Sequence, residues 1–147
     1  MKPTKKRYNI LLMIFGSVVI NYLDRSNISI AASALKTDLG FTTIQMGYIF
    51  SAFSLTYAIL QIPGGVIVDR VNPRKLYPFI LIFWSLATLV QGFLKSFVGF
   101  IFTRAAIGIF EAPSYPMNNR IVSSWFPEKE RASAIAVYTS GQFIGLA

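Results

Sequence analysis

The sequence predicts an all-α membrane protein with four transmembrane helices and the start of a fifth. Three observations carry that prediction. Of the 147 residues 54% are hydrophobic and only 14% charged, with a mean hydropathy of +0.54, whereas a soluble domain carries nearer a quarter charged residues. The apolar residues fall into long blocks separated by short charged connections, as in a polytopic membrane protein. The cations then alternate along the chain. Lys2, Lys5, Lys6 and Arg7 precede the first block, Arg70, Arg74 and Lys75 lie between the second and third, and Lys129 and Arg131 follow the fourth. The other connections hold only Lys36 and Lys95. That asymmetry predicts a cytoplasmic N-terminus, and it accounts for the formal charge of +8 without a basic stripe for nucleic acid.

The first span is expected over about Tyr8 to Ala34, long enough to cross ~30 Å at 1.5 Å per residue. "KKR" before an apolar run and "ASA" at Ala32–Ala34 resemble a secretory signal. Asp24 and Arg25 interrupt that pattern, and more spans follow. Leu35 to Thr43 reads as a short polar exterior connection. The second span, about Ile44 to Val68, contains "QIPGG": Pro63 removes a backbone donor, and Gly64 and Gly65 permit close helix approach. "DRVNPRK" (Asp69 to Lys75) is a tight interior loop. The third span, about Leu76 to Leu94, is almost wholly apolar and suits a lipid-facing position. The fourth, about Val98 to Val122, contains Arg104, Glu111, Pro113, Pro116, Asn118, Asn119 and Arg120. In "WFPEKERA" (Trp125 to Ala132) Pro127 suits a first helical turn, and Glu128 and Glu130 suit the positive end of a helix dipole. A fifth span opens at Arg131 and the sequence stops at Ala147, fewer residues than a comfortable crossing needs, so the expectation is a truncated N-terminal domain.

The stretch "INYLDRSN" (Ile20 to Asn27) places a carboxylate and a guanidinium inside the first span, and the fourth adds Arg104 and Glu111. Rise per residue puts all four within roughly 10 Å of the span midplanes. Arg104 and Glu111, seven apart, share nearly one helical face. Asp24 and Arg25 are sequence neighbours and face apart, leaving Arg25 to pair with Glu111 on another helix. A charge at the centre of a spanning helix costs about 2.5–3.5 kcal/mol on insertion scales, so the four require mutual pairing or a polar cavity. A purely structural ion-pair network is one account. The polar company of Asn21, Tyr22, Tyr57, Gln61, Ser114, Asn118 and Gln142 favours a cavity, and Pro113 and Pro116 loosen the helix beside Glu111. The sequence contains no Cys and no His. That excludes disulfides, thiolate nucleophiles and Cys/His zinc sites, and it leaves proton handling to carboxylates. No nucleophile–base pair or metal constellation supports an enzyme.

"NYLDRSNISIAA", "GGVIVDRVNPRK" and "GIFEAPSYPMNNRIVSSWFPEKERASA" together resemble the major facilitator superfamily, in particular its anion:cation symporter family and the bacterial sugar-acid transporters of galactonate and glucarate type. The likeness covers essentially the whole chain. It implies an N-terminal part of a major-facilitator helical bundle in a bacterial plasma membrane. It also implies proton coupling at Asp24 and Glu111, and anion binding at Arg25 and Arg104. Tyr22, Tyr57, Gln142 and Asn118 would line the substrate site, and Gly65, Asp69, Arg70 and Arg74 would form an interior gating loop. Its partners would be a small organic anion, protons and the lipid bilayer, with no metal or organic cofactor, and with a C-terminal half needed for transport. One departure is visible. The loop's usual glycine is Asn72, followed by Pro73; asparagine tolerates left-handed backbone next best, so the turn is expected to survive. Three readings follow: proton symport of a sugar acid, exchange of an anion by the same charges, or a non-transporting membrane fragment.

Overall fold

The computed structural model of the chain describes residues 5–147; Lys2, the first of the N-terminal cations, lies outside them. Among the described residues six helices follow one another: α1 (Lys6–Asp38), α2 (Thr43–Arg70), α3 (Pro73–Gln91), α4 (Phe97–Glu111), α5 (Ser114–Trp125) and α6 (Glu128–Leu146). Two stretches, Thr43–Arg70 and Phe97–Trp125, are by length and composition long and apolar enough to cross a membrane. In α1 the Asp24–Arg25 pair and the polar residues around it dilute an otherwise apolar sequence.

Local chemistry sets the helix ends. α1 runs a turn past its apolar stretch to Asp38, and the chain then turns at Gly40, the one residue with positive φ (69°) among those described. Thr42 caps α2 through a reciprocal box with Gln45: each side chain accepts the other's backbone N–H, at 3.2 and 2.9 Å. α2 passes Pro63 without a break. The α2–α3 turn survives Asn72 as expected, but by another means than left-handed backbone. The φ of Asn72 is −64°, not left-handed, and its side chain accepts the Arg74 N–H at 2.9 Å as the N-cap of α3, with Pro73 opening the helix. Pro127 stands one position earlier than expected, at the N-cap of α6, ahead of Glu128 and Glu130 in the first turn.

The fourth span, expected as a helix loosened by Pro113 and Pro116, divides at Ala112–Pro113 into α4 and α5. Pro113 has no N–H to continue the ladder. Beside the break the Ser114 hydroxyl donates to the Glu111 carbonyl at 2.6 Å, and Met117 N–H reaches the Pro113 carbonyl at 3.0 Å.

The described residues divide into two compact units. One joins the residues up to Ser29 with Asn118–Ala147, and the other is Ile30–Met117. In the second, α4 packs against both α2 and α3. Phe41 meets Phe97 and Phe100 edge-on at 6.3 and 5.6 Å, and Phe79, Phe83 and Phe110 form a second aromatic cluster. The outer face of α3, with Phe79, Ile82, Leu86 and Leu89, is exposed as expected for a lipid-facing helix, while Ile80 and Trp84 are buried. In the first unit α1 lies against α6, and Gly141 and Gly145 are the contact points. A Cβ at Gly145 would stand 2.5 Å from the Val19 carbonyl and 2.7 Å from Tyr22 Cβ; one at Gly141 would stand 3.1 Å from the Phe15 carbonyl. This is a small-xxx-small helix contact, in which glycine lets two backbones meet.

Candidate functional site

The first unit carries Tyr22, Asp24, Arg25, Asn118 and Gln142. The buried residues of α1 are Arg7, Leu11, Ile14, Val18, Asn21 and Ile28, spaced alternately by four and three except for one gap. Arg25 fills that gap. It therefore projects from the packed stripe of α1 while remaining half-buried. Its guanidinium carbon lies 4.9 Å from the centre of the Tyr22 ring, a cation–π contact that aims the cation. Asp24 is half-buried on the flank of that stripe. Tyr22 is held in turn, because its Cβ borders Gly145, and Ser26 Oγ donates to the Gly145 carbonyl at 3.2 Å. Gln142 sits half-buried between the two contact glycines. Asn118 is buried, and its neighbour Asn119 accepts the hydroxyl of the fully enclosed Tyr138 at 2.6 Å.

The second unit carries Tyr57, Arg104, Glu111 and the α2–α3 turn. Phe100, Arg104, Ile107, Gly108 and Glu111 form the buried face of α4. Arg104 is 2% exposed and Glu111 0% exposed, so two ionisable groups on one face are withdrawn from solvent, about 10 Å apart along the axis. Such burial requires compensation by partners. The guanidinium carbon of Arg104 lies 5.8 Å from the centre of the Phe53 ring. Phe53 stacks on Tyr57 at 5.6 Å, and Gln61 Nε2 reaches the Tyr57 hydroxyl at 3.4 Å. The sequence reading named Tyr57 and Gln61 and passed over Phe53. Its spacing of four from Tyr57 on an apolar helix is also the spacing of ordinary packing, so nothing in the sequence singles it out.

The glycines of "QIPGG" serve the break in the fourth span. A Cβ at Gly64 would lie 3.1 Å from Pro113 Cγ, whereas one at Gly65 would stand 3.9 Å from Pro116 Cγ, in ordinary contact. Close approach within this chain thus belongs to Gly64. Asp69, Arg70 and Arg74 are exposed around the α2–α3 turn. Arg25 and Glu111, the pair expected from the sequence, belong to different units.

Residues 14–147 match the model of the Major Facilitator Superfamily. The chain is 55% identical over 147 residues to the D-galactonate transporter of Escherichia coli O6:H1, covering 99% of this chain and 34% of that one. It is 47% identical to a Pseudomonas putida protein named "Probable galactarate/D-glucarate transporter", covering 97% of this chain and 32% of the relative. Among solved structures it is similar to a bacterial homologue of the human lysosomal transporter Spinster in its inward-facing occupied conformation. The TM-score there is 0.90 at 30% identity, over 95% of this chain and 30% of that one. The chain spans about a third of the length of the curated relatives it matches. It belongs to the Major Facilitator Superfamily, whose members are multi-pass membrane transporters, not enzymes, and need no cofactor.

Proposed function

We propose that this chain supplies the N-terminal part of a transporter that carries a sugar acid, of the hexonate or glucarate type, together with protons. The observation that carries the reading is the withdrawal of Arg104 and Glu111 from solvent on one face of α4, in a chain whose α1 stripe also holds Arg25. Intramembrane charges of this kind mark substrate and ion pathways. The names of the relatives supply the substrate class. The chain covers about a third of their length, and alternating access needs two repeats rocking about a central site, so transport is proposed for this stretch acting with the remaining helices. The N-terminus, the α2–α3 turn and the α5–α6 turn face the cytoplasm in this proposal. Asp69, Arg70 and Arg74, with Gly65 beside them, form an interior gate against the other half.

Charge arithmetic favours symport. An inside-negative membrane opposes anion entry by about 2.3 kcal/mol per charge per 100 mV. Two accompanying protons turn the uptake of a monoanion into inward movement of positive charge, and the two carboxylates Asp24 and Glu111 suffice to carry them. In this scheme protonation of Asp24 and Glu111 accompanies binding of the substrate carboxylate by Arg25 and Arg104, with Tyr22, Tyr57, Asn118 and Gln142 as further substrate contacts. Proton and anion binding thereby support each other.

The test is a chimera that joins residues 1–147 to the remainder of the E. coli D-galactonate transporter. Its accumulation of galactonate or glucarate is measured under an imposed pH gradient. Concentrative uptake that collapses when the gradient is dissipated supports symport. Exchange of external for internal anion without a gradient requirement gives the exchanger reading instead. Absence of both in a folded, membrane-inserted chimera removes the proposal.

A further inference from the structure

The loop "WFPEKERA" is not used by the transport scheme, yet Phe126, Glu130 and Arg131 each have a specific contact in the first unit. Arg7, in the first turn of α1, is buried at 8% exposure. Its guanidinium stands between two rings, 4.9 Å from the centre of Tyr8 and 5.4 Å from that of Phe126, and the rings meet edge-on at 6.2 Å. Nη1 of Arg7 pairs with Glu130 Oε2 at 2.7 Å, and Nη2 donates to the Tyr8 hydroxyl at 3.0 Å. Arg131 turns the other way: it donates to the carbonyls of Phe126 (3.1 Å) and Ser123 (2.9 Å), closing the C-terminal end of α5. The loop is thereby fixed to α5, and α1 is fixed to the loop.

We propose that Arg7 and Glu130 are positioning residues whose aromatic-walled ion pair fixes the rotation of α1 about its axis and so aims Arg25. Arg7 and Arg25 are eighteen residues apart, which is five complete turns at 3.6 residues per turn, so the two cations leave α1 in the same direction. The Gly141 and Gly145 contacts with Phe15, Val19 and Tyr22 set the height of α1 against α6. A contact between two smooth backbones resists rotation weakly. A planar guanidinium held between two rings and a carboxylate resists it strongly, and a lysine would supply the charge without the plane. The anchored segment is also the one that carries Tyr22, Asp24 and Arg25. The inference rests on the transport reading only for the meaning of Arg25, not for the rotation itself.

The rotation is tested in the full chain in membranes, without reference to transport. The native sequence has no cysteine, so single cysteines at Ile28, which is buried, and Asn27, which is exposed, report the azimuth of α1 by their rates of alkylation with N-ethylmaleimide. Arg7→Ala and, separately, Glu130→Gln are expected to raise the Ile28-to-Asn27 rate ratio several-fold. Arg7→Lys is expected to fall between wild type and Arg7→Ala. The side chain of Glu130 is 42% exposed, so Glu130→Gln leaves no cavity and keeps the test valid if Arg7→Ala fails to fold. An unchanged ratio in Glu130→Gln overturns the proposal. In the chimera, Glu130→Gln is expected to raise the half-saturation concentration for the sugar acid several-fold at an unchanged maximal rate per folded protein. A lowered maximal rate at constant half-saturation would make the pair a stabilising staple and nothing more. A wild-type chimera that moves no sugar acid would remove the transport reading and leave the alkylation result to decide the rotation.

Discussion

Gly108 of α4 lies so close to Phe53 of α2 that a Cβ on it would stand 2.7 Å from the Phe53 carbonyl oxygen and overlap the Thr56 hydroxyl. No flexible tip can yield there, because the obstacle is backbone. The same contact brings Phe53 and Tyr57 beside the α4 face that holds Arg104 and Glu111, so helix approach and site geometry are one feature.

The first prediction tests this closeness. Gly108→Ala should destabilise the protein by about 1–3 kcal/mol through overpacking, and a bulkier residue by more. Gly65→Ala should be nearly neutral in stability, because its Cβ would meet only Pro116 Cγ at 3.9 Å. The thermal unfolding midpoints of the two purified variants, compared with wild type, decide it. Equal midpoints for both variants would mean that α2 and α4 separate without cost.

The second prediction concerns Asn72. Its backbone is extended (φ −64°, ψ 122°) and its side chain caps α3. Asn72→Ala should cost about 1 kcal/mol, and Asn72→Gly only a few tenths. Had the position been left-handed, glycine would have stabilised the turn instead. A gain in unfolding midpoint for Asn72→Gly would return the residue to the role its sequence position suggested.

That residue shows where the sequence is readable and where it is not. The long helices, their connections and the shared face of Arg104 and Glu111 follow from hydropathy and from a spacing of seven, because both are properties of one helix. The break at Ala112–Pro113 was signalled by its prolines, but a proline marks strain without saying whether the helix bends or divides; Pro63 and Pro78 sit inside unbroken helices. The seat of Arg104 on Phe53 and the clasp of Arg7 by Glu130 join residues on different helices, and no periodicity encodes such pairs. Gly141 and Gly145 are the exception, because their spacing of four is itself a packing signal that one helix carries alone.

The third prediction fixes orientation. If the cation asymmetry sets topology, a cysteine at Ser33, exposed on α1, should react with an impermeant maleimide added to intact cells. A cysteine at Lys129, exposed in the α5–α6 turn region, should react only after permeabilisation. Ser33 is preferable to Thr42, because Thr42 caps α2 and its replacement would cost stability. The reverse labelling pattern would invert the protein and every assignment of gate and exterior with it.

The last prediction separates the roles of the intramembrane charges. Glutamine at 111 keeps the shape of a protonated glutamate and cannot release a proton. Glu111→Gln in the chimera should therefore abolish accumulation driven by a pH gradient while retaining substrate binding or exchange. Asp24→Asn should behave in the same way, since it too removes a proton carrier and preserves the side-chain outline. Arg25→Ala should differ in kind. It deletes the cation poised over the Tyr22 ring, leaving a carboxylate substrate without its counter-charge and the nearby acids without compensation, so binding itself should fail. The three variants are compared by equilibrium binding of galactonate and by its accumulation under an imposed gradient. Normal concentrative uptake by both acid variants would mean that Asp24 and Glu111 hold helices together and carry no protons. Retained binding by Arg25→Ala would move the anion contact to Arg104, the cation buried most completely in the second unit.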